Sequence, residues 1–217
     1  MDNLLPILAV ETSGEMCSAA VLLDGNSFVE MNFLQKHIHS KKIIDMIDSV
    51  IKNSGLEIGN IKAIAVSGGP GSFTGLRIGF SVAKGLALGA GIPIIPVPTY
   101  DALALQISNS LHDGSEFVVA NKASVEEVYF SKYSIIDQKI ITINEVASIQ
   151  KKDLKKNCGE TKNLYGNSFD NPAHLKASSV ATWAYLFGRD LLTFDYDYLE
   201  PEYFGNPFLK NKEREGK

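Results

Sequence analysis

The sequence predicts a mixed α/β protein, and three observations support that fold class. Residues 5–33 show the pattern of three successive strands separated by tight turns. From residue 63 onward, strand-like and helix-like segments alternate. The chain has 217 residues, of which 45% are hydrophobic and 21% charged, so it resembles an ordinary globular protein that buries a sizeable core. Strand meanders followed by strand–helix alternation are typical of mixed sheets flanked by helices.

The opening meander is defined by its turns. Residues 5–10 and 17–23 are apolar, and the polar run between them predicts a hairpin. Asp24, Gly25 and Asn26 predict a second tight turn, after which residues 28–33 alternate between apolar and polar side chains. The protein is therefore expected to begin with three antiparallel strands.

A first helix is predicted to follow the meander. Ser40 is suited to its N-cap, and Gly55 is suited to the residue that stops it. Apolar residues, among them Ile43 and Ile47, gather on one side, and lysines and aspartates gather on the other. The helix is therefore expected to lie on an apolar surface.

A glycine-rich loop at residues 67–72 separates a short buried strand, residues 63–66, from a second helix, residues 74–89. Such a loop before a helix directs backbone N–H groups towards one point, which suits a phosphate. Its spacing matches neither the Walker A loop, which needs a lysine after the last glycine, nor the dinucleotide fingerprint. The pattern leaves a phosphate cradle and a purely structural turn equally open.

The second helix is apolar or small almost all round, and its only charges are Arg77 and Lys84. A helix of this kind is buried on most of its surface, and its small residues allow close packing. One face is expected to cover the protein's own sheet. The other, with Phe80 and Leu88, is expected to need a second cover, which is the first helix, another chain or both.

The remaining elements are predicted from shorter patterns, and a boundary is expected near residues 105–115. This gives an N-terminal lobe, residues 1–108, and a C-terminal lobe, residues 109–217. Strands are predicted at residues 94–97, 117–120, 127–133 and 140–143, and helices at 99–108 and 180–192. The last helix is expected to turn four residues inward: Trp183, Leu186, Phe187 and Leu191.

Charge and cysteine content narrow the functional classes. The net charge of −4 argues against a protein that grips nucleic acid alone, since phosphate binding rests on a surplus of Lys and Arg. Cys17 and Cys158 form no CxxC motif, which gives no cysteine-based zinc or redox site. The first nine residues lack a basic leader, and Lys84 and two prolines interrupt the longest apolar region. A cytoplasmic protein with no membrane association is expected.

Two motifs resemble those of the TsaB (YeaZ) family. The first is the run LAVETS at residues 8–13, followed by CSAAV at residues 17–21. The second, GPGSFTGLRIG at residues 69–79, is highly specific. The resemblance covers roughly the first half of the chain and continues weakly through EVY at residues 127–129 and EPEY at residues 200–203.

The resemblance implies the two-lobed fold shared by actin, Hsp70 and sugar kinases, with mixed sheets flanked by helices. It also implies that the helices at residues 40–53 and 74–89 form a dimerisation surface. The residues expected to form this surface are Ile43, Ile47, Gly75, Arg77, Gly79, Phe80, Lys84 and Leu88.

The resemblance also bears on cofactors and metals. The residues expected to form a vestigial nucleotide site are Glu11, Thr12, Ser13, Gly68, Gly69 and Gly71. Family members usually have Asp where this chain has Glu11, so no cofactor is expected beyond weak ATP or ADP binding at a complex interface. Catalytic relatives place two metal-binding histidines where this chain has Thr99 and Leu103. No metal site and no catalytic residue are therefore expected.

The function implied is that of a non-catalytic scaffold subunit in tRNA adenosine N6-threonylcarbamoylation. Its partners would be the catalytic subunit TsaD and a TsaE-type ATPase, with a homodimer when TsaD is absent and tRNA reached only through the complex. One alternative is a nucleotide-dependent phosphotransferase or ATPase of the same fold, although such enzymes need metal-binding carboxylates beyond Glu11. A glycoprotease-like peptidase is a further alternative, but no catalytic triad can be assigned.

Overall fold

The structure is a computed structural model, and it describes residues 4–35, 37–159, 161, 163–167, 169 and 171–203. Its first sheet has the strand order β3-β2-β1-β4-β5. The meander strands pair antiparallel, whereas β4 pairs parallel to both β1 and β5. The strands are β1 (Ile7–Glu11), β2 (Met16–Leu22), β3 (Phe28–Leu34), β4 (Ala63–Gly69) and β5 (Ile94–Pro98).

Helices cover both faces of this sheet. On one face, α1 (His39–Asn53) and α2 (Phe73–Ala90) pack over Leu8 and Val10 of β1. On the other face, α3 (Thr99–Ser108) and α5 (Ala177–Phe187) pack over the alternate β1 residues, such as Ala9. Because β1 is buried on both sides, it is a continuous apolar run rather than an alternating one.

The second sheet has the strand order β8-β7-β6-β9. Strands β6, β7 and β8 pair antiparallel, and β9 runs parallel to β6. One face packs on the short helix α4 (Leu154–Cys158), and the other shares a continuous apolar core with the first sheet. The strands are β6 (Glu116–Lys122), β7 (Glu127–Ile136), β8 (Lys139–Gln150) and β9 (Leu164–Tyr165).

Helix α1 departs from the sequence prediction at its start but not at its end. It begins at His39, so Ser40 lies inside the helix, and the N-cap position is Ile38, which makes no side-chain capping bond. At the other end Gly55 has a φ of 70°, the left-handed conformation that commonly follows a helix. The predicted stop residue is therefore confirmed.

Helix α5 departs from the prediction in both place and orientation. It starts three residues early, at Ala177, and a 3₁₀ turn (Gly188–Leu191) follows it. Leu186, Phe187 and Leu191 are exposed, and small residues such as Ala184 face inward instead. The helix also packs on β1 and β2 of the first sheet. The division into two lobes at residue 108 stays a prediction. Residues 204–217 of that predicted lobe lie outside the described residues.

Candidate functional site

A cleft of about 900 Å³ lies where the glycine-rich loop of the first sheet faces β6, β7 and β8 of the second. Its lining is mixed in charge, and Lys122 is its only lysine or arginine among the described residues. Glutamates approach it from four places in the chain: Glu11, Glu15, Glu127 and Glu202. This balance does not favour a polyphosphate, which binds where positive charge and N–H donors converge.

Glu11 ends β1 and is only 1% exposed. Its Oε1 accepts hydrogen bonds from the Ser13 backbone N–H, at 2.6 Å, and from Ser13 Oγ, at 2.7 Å. Its Oε2 accepts from Ser67 Oγ. Burial raises the pKa of Glu11 to about 7, and the bonds from Ser67 and Ser13 oppose the rise. Both carboxyl oxygens are thus engaged within the chain.

The glycine-rich loop is occupied by the chain itself. The Gly69 N–H donates to Thr99 Oγ1 at 3.0 Å, and the Ser72 N–H donates to the Ser13 carbonyl oxygen at 2.7 Å. The Gly68 carbonyl oxygen accepts from the Glu202 N–H at 2.7 Å. Gly69 has a φ of +119°, and a Cβ there would collide with the Glu202 backbone. Gly69 therefore admits residues 201–203, which we call the C-terminal strap.

Only some of the residues predicted for a vestigial nucleotide site line the cleft. Glu11, Ser13 and Gly71 line the cleft, whereas Thr12, Gly68 and Gly69 do not. Thr12 lies under α2 instead, where its Oγ1 donates to the Gly75 carbonyl oxygen at 2.7 Å. The function of these residues as a nucleotide site stays a prediction.

Three histidines line the cleft, His37, His39 and His174, and sequence reasoning assigned none of them to a site. His39 is only 8% exposed, and burial lowers its pKa. Its Nε2 and the Nδ1 of His174 are buried without a hydrogen-bond partner. No local signal in the sequence marks either residue, since only the approach of distant segments creates these surroundings. Among the described residues, no group of three His, Cys, Asp or Glu side chains is placed to hold a metal.

The predicted dimerisation residues lie on two different sides of their helices. Ile43, Ile47, Gly75, Gly79 and Phe80 face the chain's own interior. Phe80 is 3% exposed and packs in the core between the first sheet and the two helices. At Phe80 the first helix therefore provides the second cover that was expected, and a contribution of Phe80 to a dimer interface stays a prediction. The place of Phe80 in the sequence next to Gly79 puts it over the sheet.

The outward side of α1 and α2 contains the remaining predicted residues. We call this surface the α1–α2 face. Leu88 is 69% exposed and Ile44 is 55% exposed. A groove of about 450 Å³ runs between the helices, lined by Ser40, Ile43, Ile44, Phe73, Thr74, Arg77, Ile78, Ser81 and Val82. Exposed apolar residues beside such a groove are typical of a contact surface.

The chain is similar in sequence to two groups of known proteins. The family model of the tRNA N6-adenosine threonylcarbamoyltransferase TsaD matches residues 34–181. The tRNA threonylcarbamoyladenosine biosynthesis protein TsaB of Haemophilus influenzae is 44% identical over 132 residues, which are 61% of this chain and 55% of that protein. The chain thus spans about half the length of that relative. TsaB of Buchnera aphidicola subsp. Baizongia pistaciae is 32% identical over 173 residues, 76% of each chain.

A solved structure gives the fold directly. YeaZ from Pseudomonas aeruginosa superposes with a TM-score of 0.78 and 20% identity, covering 92% of this chain and 99% of that one. The molecule therefore has the two-sheeted actin-like α/β fold that the sequence predicted. Within that fold class, the chain belongs to the TsaB (YeaZ) family.

Proposed function

We propose that this chain is the non-catalytic, dimerising subunit of tRNA threonylcarbamoyladenosine biosynthesis, and that it binds and stabilises the catalytic subunit TsaD. The relatives named TsaB support the pathway. One observation favours a docking function most strongly: the α1–α2 face exposes apolar side chains beside a groove that the described residues leave open.

The interior of the cleft supports a non-catalytic function. Both oxygens of Glu11 accept hydrogen bonds from serines, so this carboxyl group is already satisfied within the chain. Thr99 and Leu103, which stand where catalytic relatives are expected to have histidines, are both buried in α3. In this proposal the chain acts by holding its partner, and the transfer chemistry takes place on TsaD.

The wider assembly follows from the same proposal. A TsaE-type ATPase joins the complex, and the chain forms a homodimer when TsaD is absent. Contact with tRNA is made through the complex, consistent with the net charge of −4. We infer a cytoplasmic location from the proposed function in tRNA modification. In the part of the chain that the structure covers, no helix has the length and apolarity needed to cross a membrane.

Reconstitution tests the proposal. The purified chain, its TsaD and its TsaE are combined with unmodified tRNA and an activated threonylcarbamoyl donor, and modified adenosine is quantified. We expect modification with all components, a large loss when this chain is omitted, and none with this chain alone. Transfer by the chain alone, or full activity without it, would overturn the proposal.

The size of the cleft favours one alternative, a nucleotide-dependent phosphotransferase or ATPase of the same fold. Cavities of this size hold small ligands in many proteins. Titration calorimetry of the isolated chain with ATP and Mg²⁺ separates the two functions. Weak binding is expected because the loop's Gly69 and Ser72 N–H groups are already engaged. Tight, magnesium-dependent binding would favour the phosphotransferase.

A further inference from the structure

Arg77 is held in one position at the edge of the α1–α2 face. Its Cζ lies 3.9 Å from the centroid of the Phe73 ring, and its Nε donates to the Tyr203 hydroxyl at 3.2 Å. The rings of Phe73 and Tyr203 pack together, with centroids 5.0 Å apart. A flexible exposed side chain is thereby fixed on two sides, which lowers the entropy that a bound partner must remove.

The C-terminal strap supplies one of those two contacts. Pro201 is buried, and the Glu202 N–H is bonded to the Gly68 carbonyl oxygen, so the strap is attached to the glycine-rich loop. Tyr203 follows directly and reaches the first turns of α2. The left-handed Gly69 allows this approach. The glycine-rich loop therefore supports the position of Arg77 through the strap.

The guanidinium lacks an anionic partner within the described residues. No carboxylate among them forms an ion pair with Arg77, and α2 has no acidic residue. On α1, Asp45 pairs with Lys42 at 3.5 Å and Asp48 pairs with Lys52 at 2.7 Å. With Nε bonded to Tyr203, the two terminal nitrogens have no acceptor among the described residues and remain for a ligand.

We propose that Arg77 is the charged anchor of the α1–α2 face and that it receives a carboxylate of the TsaD subunit, flanked there by apolar side chains. A guanidinium fork pairs with a carboxylate through two parallel hydrogen bonds. A second copy of this chain is a poorer match, because its α2 has only basic charges and its α1 aspartates Asp45 and Asp48 already pair with lysines of their own helix. The pair therefore favours the heterodimer over the homodimer. This inference rests on the proposed docking function.

The test measures the affinity of purified full-length chain for purified TsaD by calorimetry, at two salt concentrations. We expect Arg77→Gln to weaken binding about 30-fold, and Arg77→Lys about 10-fold, because lysine lacks the fork. Homodimerisation is expected to stay unchanged or become stronger in Arg77→Gln. Circular dichroism confirms that each variant is folded.

A double-mutant cycle tests the positioning function of Tyr203. Tyr203→Phe removes only the hydroxyl and is expected to weaken binding about 5-fold, but to have no further effect in the Arg77→Gln background. Tyr198→Phe, at an exposed tyrosine that precedes the C-terminal strap, is the matched control and is expected to leave the affinity for TsaD unchanged. An equal effect of Tyr203→Phe in both backgrounds would contradict positioning through Arg77.

The outcomes separate this inference from the proposed function. If Ile44→Glu abolishes binding but Arg77→Gln binds as tightly as the parent, the docking surface stands and the anchor is refuted. If Arg77→Gln weakens homodimer and heterodimer equally, the preference for a TsaD carboxylate is refuted. If neither Ile44→Glu nor Arg77→Gln changes the affinity for TsaD, both the docking surface and its anchor are refuted.

Discussion

Gly79 and Gly85 lie in the same helix and meet opposite surroundings. A Cβ on Gly79 would lie 2.5 Å from Thr12 Oγ1 and 3.4 Å from Val66 Cγ2, whereas a Cβ on Gly85 would meet nothing within 4 Å. The inner glycine brings α2 close to the first sheet, and the outer one lies on the solvent side. The inner side of α2 thus serves the fold, and its outer side is available for a partner.

The largest expected effect on stability comes from introducing a glutamate on each side of α2 in turn. Phe80→Glu places a carboxylate in the core and is expected to destabilise the chain by more than about 4 kcal/mol. Leu88→Glu, on the outer side, is expected to change the free energy of unfolding by less than about 0.5 kcal/mol. Urea unfolding followed by circular dichroism measures both. Equal stabilities of the two variants would refute the division into two sides.

The buried acid beneath the loop gives a pH-dependent effect. Between pH 4.5 and 7 the folded chain keeps a proton on Glu11 that the unfolded chain has released, so stability falls as pH rises through this window. Glu11→Gln should not show this loss. Its free energy of unfolding relative to that of the parent should therefore rise by up to about 3 kcal/mol between pH 4.5 and 7. Unfolding at several pH values measures it, with the exposed Glu126→Gln as control. A constant difference between parent and Glu11→Gln would contradict the assignment.

Substitution by alanine is expected to change the stability in opposite directions at Gly79 and Gly85. Gly79→Ala forces the Thr12 side chain to move and is expected to cost about 2 kcal/mol. Gly85→Ala adds a methyl group in open space and should stabilise the helix by about 0.8 kcal/mol. Thermal unfolding of both variants checks the signs. A stabilising Gly79→Ala would show that α2 lies farther from the sheet than described.

The smallest expected effect extends the contrast to α5. Leu186→Gln changes an exposed side chain and is expected to alter stability by less than about 0.5 kcal/mol. Ala184→Leu, at a buried position of the same helix, should cost about 2 kcal/mol through overpacking. Chemical unfolding of the pair measures the difference. A strongly destabilising Leu186→Gln would support the inward orientation predicted from sequence.

The sequence predicted the first sheet and helices α2 and α3 well because the local signals there agreed with the tertiary structure. The turn at Gly25, the stop at Gly55 and the helix at residues 99–108 all lie where expected. The length of β8 was underestimated because its residues are mostly exposed and polar beyond residue 143. Helix α5 was misoriented because the prediction assigned its largest apolar residues to the core, while the space against β1 and β2 accepts only small ones.

The candidate site was harder to predict than the fold. The motif at residues 69–79 marked the loop and α2, but it could not tell that Gly69 closes on Glu202, a contact between segments far apart in the chain. Glu11 was identified, but its serine partners and raised pKa depend on burial. Helical periodicity alone did not distinguish the two sides of α2, since small and apolar residues occupy both.

The central claim is that the α1–α2 face is the docking surface for TsaD, and sedimentation of two matched variants with purified TsaD tests it most directly. Leu88→Glu changes an exposed leucine on α2, and Leu186→Glu changes an exposed leucine on α5, which covers the opposite face of the first sheet. Both are expected to remain folded. We predict that Leu88→Glu loses the complex and Leu186→Glu keeps it. Loss with Leu186→Glu and retention with Leu88→Glu would contradict the account.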